Sequence, residues 1–147
     1  MTESMTEKAL AAGSCNCGTV SFTVGTPLRD VYVCHCSICR KSTGSGGMAV
    51  VVVPTEAMTI VSGQEAIQTW HKPAHDWLTN FCKHCGSPLP GKNDDKRSYV
   101  PVSLLDSGGD ELTVAHHIFV NSKPRWEELG PTGTRHGNGF GSECDTL

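Results

Sequence analysis

The stretch Cys34-His-Cys-Ser-Ile-Cys-Arg-Lys41 carries three cysteines, Cys34, Cys36 and Cys39, within six residues. Thiolates this close along the chain can converge on one metal ion and leave a fourth coordination position free. In zinc proteins, four protein ligands mark a closed structural site, whereas three ligands plus a water or a substrate mark a reactive one. The triplet therefore predicts a reactive metal site, and the remaining cysteines are interpreted relative to it.

Seven of the eight cysteines lie in tight clusters. Besides the triplet, these are the pair Cys15-x-Cys17 and the pair Cys82-x-x-Cys85. The N-terminal residues 1–8 are polar and no apolar stretch follows them, which is unlike a secretion signal or a transit peptide. We therefore expect a cytoplasmic protein, whose reducing surroundings favour metal ligation over disulfides.

Spacing alone allows two ways of dividing the clustered cysteines. In the first, Cys15, Cys17, Cys82 and Cys85 form a complete four-thiolate site and the triplet stands by itself. In the second, Cys36 and Cys39 join the later pair, and the remaining three thiols form the reactive set. Either division predicts two metal ions per chain.

The pattern along the chain predicts an all-β domain. Sixteen glycines and eight prolines indicate many turns, and short runs of alternating or β-branched residues indicate strands. The expected strands cover residues 19–24, 29–33, 48–53, 58–61, 66–70, 77–81, 99–104 and 112–120. Residues 37–42 are expected to form one helical turn that the glycine-rich segment 44–47 ends. Residues 1–12 are interpreted as a frayed or briefly helical N-terminal arm, residues 13–129 as the domain, and residues 130–147 as an irregular, glycine-rich tail.

Charge and hydropathy exclude several classes of partner. The net charge is −3, and no run of lysine or arginine exceeds two residues, which argues against a nucleic-acid surface or a polybasic membrane patch. The longest apolar run, residues 48–53, is far too short to span a bilayer. We expect a monomer or a homodimer that acts on a small molecule.

Four motifs in order resemble the glutathione-dependent formaldehyde-activating enzyme family, also called the GFA or CENP-V domain family. They are Gly13-Ser-Cys-Asn-Cys-Gly-Thr-Val20, the stretch 34–41 quoted above, Phe81-Cys-Lys-His-Cys-Gly-Ser-Pro-Leu89 and His117-Ile-Phe-Val-Asn-Ser-Lys-Pro-Arg-Trp126. Zinc ribbons share any one such knuckle, but the ordered set CxC, CxCxxC, CxxCG and HIxVxSxxxW is specific. The resemblance covers roughly residues 13–129.

The resemblance implies an Mss4-like fold (a β-tent) of antiparallel sheets, with a structural zinc on Cys15, Cys17, Cys82 and Cys85. It assigns a second, catalytic zinc to Cys34, Cys36 and Cys39. The named activity of the family is a carbon-sulfur lyase reaction that joins formaldehyde to glutathione as S-(hydroxymethyl)glutathione. A small-molecule thiol such as glutathione and an aldehyde are therefore the expected substrates.

Chemistry agrees with that expectation, because a zinc bound by three thiolates can take an incoming thiol as its fourth ligand and lower the pKa of that thiol. Arg40 and Lys41 would help to bind a carboxylate-bearing thiol, although such a pair is equally typical of a solvated helix end. His35, His71, His75 or a distant side chain could instead close the triplet into a second structural site. The alternative function is then a non-catalytic, zinc-binding interaction module of the Mss4-like fold.

Overall fold

The computed structural model describes residues 9–145, which divide into two compact units. The first unit comprises the chain up to Leu28 together with Val52–Glu111, and the second comprises Arg29–Val51 and Leu112–Leu147. Each unit combines two separate stretches of sequence, because strands far apart along the chain pair with one another. No helix within residues 9–145 is long and apolar enough to cross a membrane.

The first unit contains one four-stranded sheet and two hairpins. The sheet has the strand order β10-β1-β2-β5, and all of its pairings are antiparallel. Strands β6 and β7 form one hairpin, and strands β8 and β9 form the other. The strands are β1 Ala11–Ser14, β2 Ser21–Val24, β5 Met58–Ser62, β6 Ile67–His71, β7 Leu78–Cys82, β8 Gly91–Lys92, β9 Arg97–Pro101 and β10 Leu105–Ser107.

The second unit contains one short helix and a sheet that includes parallel pairs. The helix α1 covers Ser37–Thr43, and the sheet order is β12-β11-β3-β4. Strand β11 pairs in parallel with both β3 and β12, whereas β3 and β4 are antiparallel. The strands are β3 Val31–Cys34, β4 Met48–Pro54, β11 Val114–Ile118 and β12 Thr134–Arg135. Strand β4 continues past Val51 into the stretch that belongs to the first unit.

The predicted fold class, an all-β Mss4-like domain with short helical turns, is confirmed. Alternation places Val20, Phe22 and Val24 in the core, while the residues between them are half-buried. Short 3₁₀ turns cover Thr55–Ala57, Gln64–Ala66, Val102–Leu104 and Val120–Ser122. The two parallel pairs of β11 are a departure from purely antiparallel sheets, since the sequence carries no signal for strand direction.

Several boundaries differ from the predictions. The predicted arm was wrong at Ala11 and Ala12, which begin β1, while residues 1–8 lie outside the described part of the chain. Gly13 in this strand packs against the ring of Phe22, since a Cβ on Gly13 would come 2.5 Å from the ring carbon Cζ. The predicted strand 99–104 ends at Pro101, because proline cannot donate to a ladder. The tail, predicted to be irregular, contains one short strand, β12. Residues 146–147 also lie outside the described range.

Candidate metal centres

The structure gathers the clustered cysteines into two groups, each with its sulfur atoms within 4.8 Å of one another. One group is Cys15, Cys17, Cys82 and Cys85, and the other is Cys34, Cys36 and Cys39. This is the first of the two divisions that spacing allowed, and it is the one that the resemblance implies. All eight cysteines are free thiols, and Cys144 is exposed in the tail.

The four-cysteine group is built from two similar turns of the first unit. In the first turn Gly18 donates its N–H to the Cys15 carbonyl at 3.0 Å, and in the second Gly86 donates to the Cys82 carbonyl at 2.7 Å. Both glycines have a positive φ, 83° and 79°, a conformation that glycine adopts without steric cost. The Asn16 N–H donates to the Ser87 hydroxyl at 2.8 Å and so joins the two turns.

The sulfur positions of this group fit a zinc ion. The Cys15 and Cys17 sulfurs are 3.6 Å apart, and the Cys17 and Cys82 sulfurs are 3.8 Å apart. A tetrahedron with Zn–S bonds of about 2.3 Å places neighbouring sulfurs about 3.8 Å apart, whereas a disulfide requires about 2.05 Å. These two separations match a shared metal rather than a disulfide, and the group could therefore hold a metal ion.

The surroundings of these thiols differ from one cysteine to the next. The Ser87 hydroxyl beside Cys85 lowers the pKa of that thiol to about 5. Burial raises the pKa of the Cys82 thiol, which is inaccessible to solvent. Cys15 and Cys82 belong to an apolar cluster with Val20, Ala66 and Leu89, so two of the four sulfurs lie in the core of the first unit.

The three-cysteine group lies where β3 passes into α1. Cys34 ends the strand, Cys36 is the N-cap of the helix, and Cys39 lies in its first turn. The Cys39 N–H donates to the Cys36 sulfur at 3.4 Å, so the cap is itself a candidate ligand. Gly44 ends the helix with a φ of 69°, which confirms the predicted stop.

The three thiols cannot all ionise without a cation. Hydrogen bonds from Cys34 and then from Cys39 lower the pKa of the Cys36 thiol to about 2. Donation to Cys36 raises the pKa of Cys34 to about 11, and donation to Cys34 and Cys36 raises the pKa of Cys39. One negative charge is thus shared by three sulfurs, as expected of a donor set that loses its remaining protons on binding a metal.

No fourth side chain completes the triplet among residues 9–145, because no other histidine, cysteine, aspartate or glutamate places a ligand atom within the same distance of all three sulfurs. His35, which could have closed the site, turns away from it. The His35 Nδ1 atom is 2.9 Å from the Gly46 carbonyl oxygen, and its Nε2 atom is 3.1 Å from Nδ1 of His117. His117 and the Gly46–Gly47 turn were not predicted as parts of the site, although His117 opens the fourth sequence motif.

The predicted substrate contacts follow Cys39 directly in α1. Arg40 and Lys41 are both in the last turn, where their positive charges interact favourably with the negative end of the helix dipole. The Arg40 Nε–H donates to the His35 carbonyl at 3.0 Å, while Lys41 is exposed. Their role towards a substrate stays a prediction.

Asn80 lies on β7, directly before Phe81. Its Oδ1 accepts from the Thr69 hydroxyl at 2.6 Å, and its Nδ2 donates to the Pro90 carbonyl at 3.0 Å. Asn80 therefore joins β6, β7 and the segment that follows, and its side chain serves the hairpin.

Comparisons with known proteins agree with this architecture. Residues 10–122 match the family described as glutathione-dependent formaldehyde-activating enzyme. A candidate enzyme of that name from Halomonas elongata is 32% identical over 128 residues, which cover 82% of this chain and 81% of that protein. A second, from Emericella nidulans, is 30% identical over 105 residues, which cover 66% of this chain and 52% of that protein.

A solved structure shares the fold. The crystal structure of a Rhodobacter sphaeroides protein superposes with a TM-score of 0.55 at 24% identity and covers 65% of this chain and 88% of that one. The family match extends over more than three quarters of the sequence and includes all seven clustered cysteines. The chain therefore belongs to the glutathione-dependent formaldehyde-activating enzyme family.

Proposed function

We propose that this protein is a zinc-dependent carbon-sulfur lyase or synthase that acts on the adduct of a small-molecule thiol and an aldehyde, in the manner of S-(hydroxymethyl)glutathione synthase. One observation carries the proposal. Three thiols converge in the triplet, while no fourth histidine, cysteine, aspartate or glutamate joins them within residues 9–145. Three protein ligands are the arrangement found in reactive rather than structural zinc sites.

A zinc ion at the triplet would supply a position for a substrate sulfur and would lower the pKa of the incoming thiol. Cys34, Cys36 and Cys39 would hold this ion as thiolates, and their negative charge favours a soft sulfur substrate over the activation of water. In the synthetic direction the thiol loses its proton, its sulfur forms a bond to the carbonyl carbon, and the carbonyl oxygen takes up a proton. Cleavage of the adduct reverses each of these changes.

Positive charge near the triplet suits an anionic thiol. Arg40 follows Cys39 directly, and its Nε is fixed on the His35 carbonyl. The exposed ammonium group of Lys41 comes next in sequence. We assign to these two side chains the binding of substrate carboxylates, such as those of glutathione.

The experiment that tests the proposal is aldehyde exchange at equilibrium. Free and adduct aldehyde are followed by NMR with several thiols, with and without the protein, because the uncatalysed addition of glutathione to formaldehyde is already quick. We expect two zinc ions per chain by elemental analysis and faster exchange in both directions with at least one anionic thiol. The variant Cys36→Ser, which removes one triplet ligand, should exchange no faster than buffer.

Two results would count against the enzyme. These are an unaccelerated exchange with every thiol and an unchanged spectrum of the cobalt-substituted triplet when thiol is added. Together they would favour the alternative function, a zinc-binding interaction module without catalysis. Localisation in the cytoplasm and the monomeric or homodimeric state stay predictions of the sequence.

A further inference from the structure

The histidine between the first two triplet cysteines is directed into the interior of the second unit. His35 has no exposed surface. Its Nδ1 atom lies 2.9 Å from the Gly46 carbonyl oxygen, and since a carbonyl can only accept, Nδ1 carries the hydrogen. Its Nε2 atom lies 3.1 Å from Nδ1 of His117, and the direction of this hydrogen bond between the rings depends on the tautomer of His117.

His117 is held on β11 in a single orientation. The side chain is 5% exposed, and its ring stacks on that of His35 with centroids 5.3 Å apart. The Nε2 atom of His117 lies 3.2 Å from the Thr132 carbonyl oxygen. The two rings thus connect three segments of the second unit, namely the triplet, β11 and the segment before β12.

The turn at Gly46 and Gly47 approaches the triplet closely at Gly47. A Cβ on Gly47 would lie 2.9 Å from the Cys34 carbonyl oxygen and 2.9 Å from Nδ1 of His35. A Cβ on Gly46 would overlap the carboxylate of Glu127. These two glycines let the Gly46 carbonyl reach the imidazole.

Both main-chain polar groups of His35 are hydrogen-bonded. Its N–H donates to the Ile118 carbonyl at 3.0 Å, and its carbonyl accepts from Arg40 Nε at 3.0 Å. Cys34 and Cys36 are bonded directly to this residue. Any rotation of its peptide groups would therefore change the directions in which both sulfurs point.

We propose that His35, His117 and the Gly46–Gly47 turn form a positioning network that sets the geometry of Cys34 and Cys36 for a thiophilic divalent metal. His117 is a positioning residue, since it acts through His35 and provides no ligand atom. The proposal rests on the proposed function only in that the triplet binds a metal. Residues that orient metal ligands in this way typically change metal affinity by about 10- to 100-fold when they are replaced.

The test compares two replacements of His117 in the full-length protein. His117→Leu keeps the bulk and removes the hydrogen bond, whereas His117→Asn keeps an amide group near the position of Nδ1, with an oxygen that accepts and an NH2 that donates. Cobalt is titrated into each variant against a competing chelator, and the thiolate-to-cobalt absorption reports occupancy of each group. His84→Leu is the matched control, since His84 lies between cysteines of the four-cysteine group and is exposed.

We expect His117→Leu to weaken cobalt binding at the triplet about 10- to 100-fold and to leave the four-cysteine group unchanged. His117→Asn should recover most of that affinity, and His84→Leu should match the wild type. Gly47→Ala provides a second perturbation if His117→Leu fails to fold, because its Cβ would press on Nδ1 of His35 and on the Cys34 carbonyl oxygen while His117 stays unchanged. It should weaken the triplet in the same way.

Equal triplet affinity in the wild type and His117→Leu would overturn the proposal. Equal losses at both cysteine groups would also overturn it, since they would show a general loss of stability. Failure of the enzymatic proposal is distinguishable, because it would leave the cobalt results intact and abolish only aldehyde exchange. A wild-type triplet that takes up no cobalt would refute both.

Discussion

The two cysteine groups differ in how far along the chain their members lie. Cys17 and Cys82 are separated by 65 residues, yet their sulfurs are 3.8 Å apart. The triplet, in contrast, is contained in six consecutive residues at the end of β3 and the start of α1. A metal in the first group would cross-link distant segments of the first unit, whereas a metal in the triplet would constrain one short stretch.

The two cysteine groups also differ in the residues that surround them. Cys15 and Cys82 pack among apolar side chains in the core of the first unit. The triplet is interrupted in sequence by the buried His35, which stacks on His117, and is followed directly by the basic Arg40. This difference supports the proposal of a structural site in the four-cysteine group and a reactive site in the triplet.

Removal of one cysteine from each group should give the largest difference. Cys82→Ser should lower the melting temperature by about 10 °C or more, or leave the chain unfolded, because metal binding that joins distant segments contributes directly to folding. Cys36→Ser should leave the fold largely intact, since a metal in the triplet constrains only a local turn. Circular dichroism melts of the two zinc-loaded variants measure the effect. Equal losses of melting temperature would show that the triplet is a second structural site.

Alkylation of the metal-free triplet tests its shared charge. After mild chelation, iodoacetamide at about pH 6 should label Cys36 before Cys34 and Cys39, because the pKa of Cys36 is lowered to about 2 while that of Cys34 is raised to about 11. Below the ordinary thiol pKa, only the cysteine whose pKa is lowered is present as the reactive thiolate. Mass spectrometry of the labelled peptides measures the order. Labelling at similar rates would mean that the folded triplet does not distinguish its thiols, and added zinc should suppress all three reactions.

The smallest effects are expected at one glycine beside each cysteine group, namely Gly44 after α1 and Gly86 in the turn that follows Cys82. Gly44 and Gly86 both have a positive φ, and no heavy atom lies within 4 Å of a Cβ built on either. Alanine should therefore cost only the backbone penalty, about 1 kcal/mol of the free energy of unfolding at each position. Gly130→Ala is the control, since its φ is not positive and the space around it is open. Urea denaturation measures these differences, and a much larger loss at only one glycine would show that the turns themselves distinguish the two groups.

Much of the local structure was predictable because it depends on neighbouring residues. Alternation placed Val20, Phe22 and Val24 in the core, and Gly44 was expected to end the helix that begins after Cys36. The strand ends were less predictable. Phe119, for example, adopts a φ of 58°, and β11 ends at Ile118, two residues before the predicted end at residue 120.

The tail shows why other parts were not predictable. Residues 130–147 carry no periodic pattern, yet Thr134 and Arg135 pair with β11, and the His136 N–H donates to the His117 carbonyl at 2.8 Å. The backbone of β11 provides these hydrogen bonds whatever side chains the tail carries. Composition therefore gave no indication that part of the tail would form a strand.

The sequence by itself determined that seven cysteines occur in tight clusters, that the chain is built from short strands, and that its motifs are those of one family. Short-range chemistry carries this information, because knuckle spacing, alternation and glycine turns act over a few residues. Only the tertiary structure decided which clusters meet, that β11 runs parallel to β3, and that His35 faces His117 and Gly46. These contacts join residues up to 84 positions apart, as in the pairing of His117 with Val33. Such pairings depend on the packing of whole strands, which no local pattern specifies.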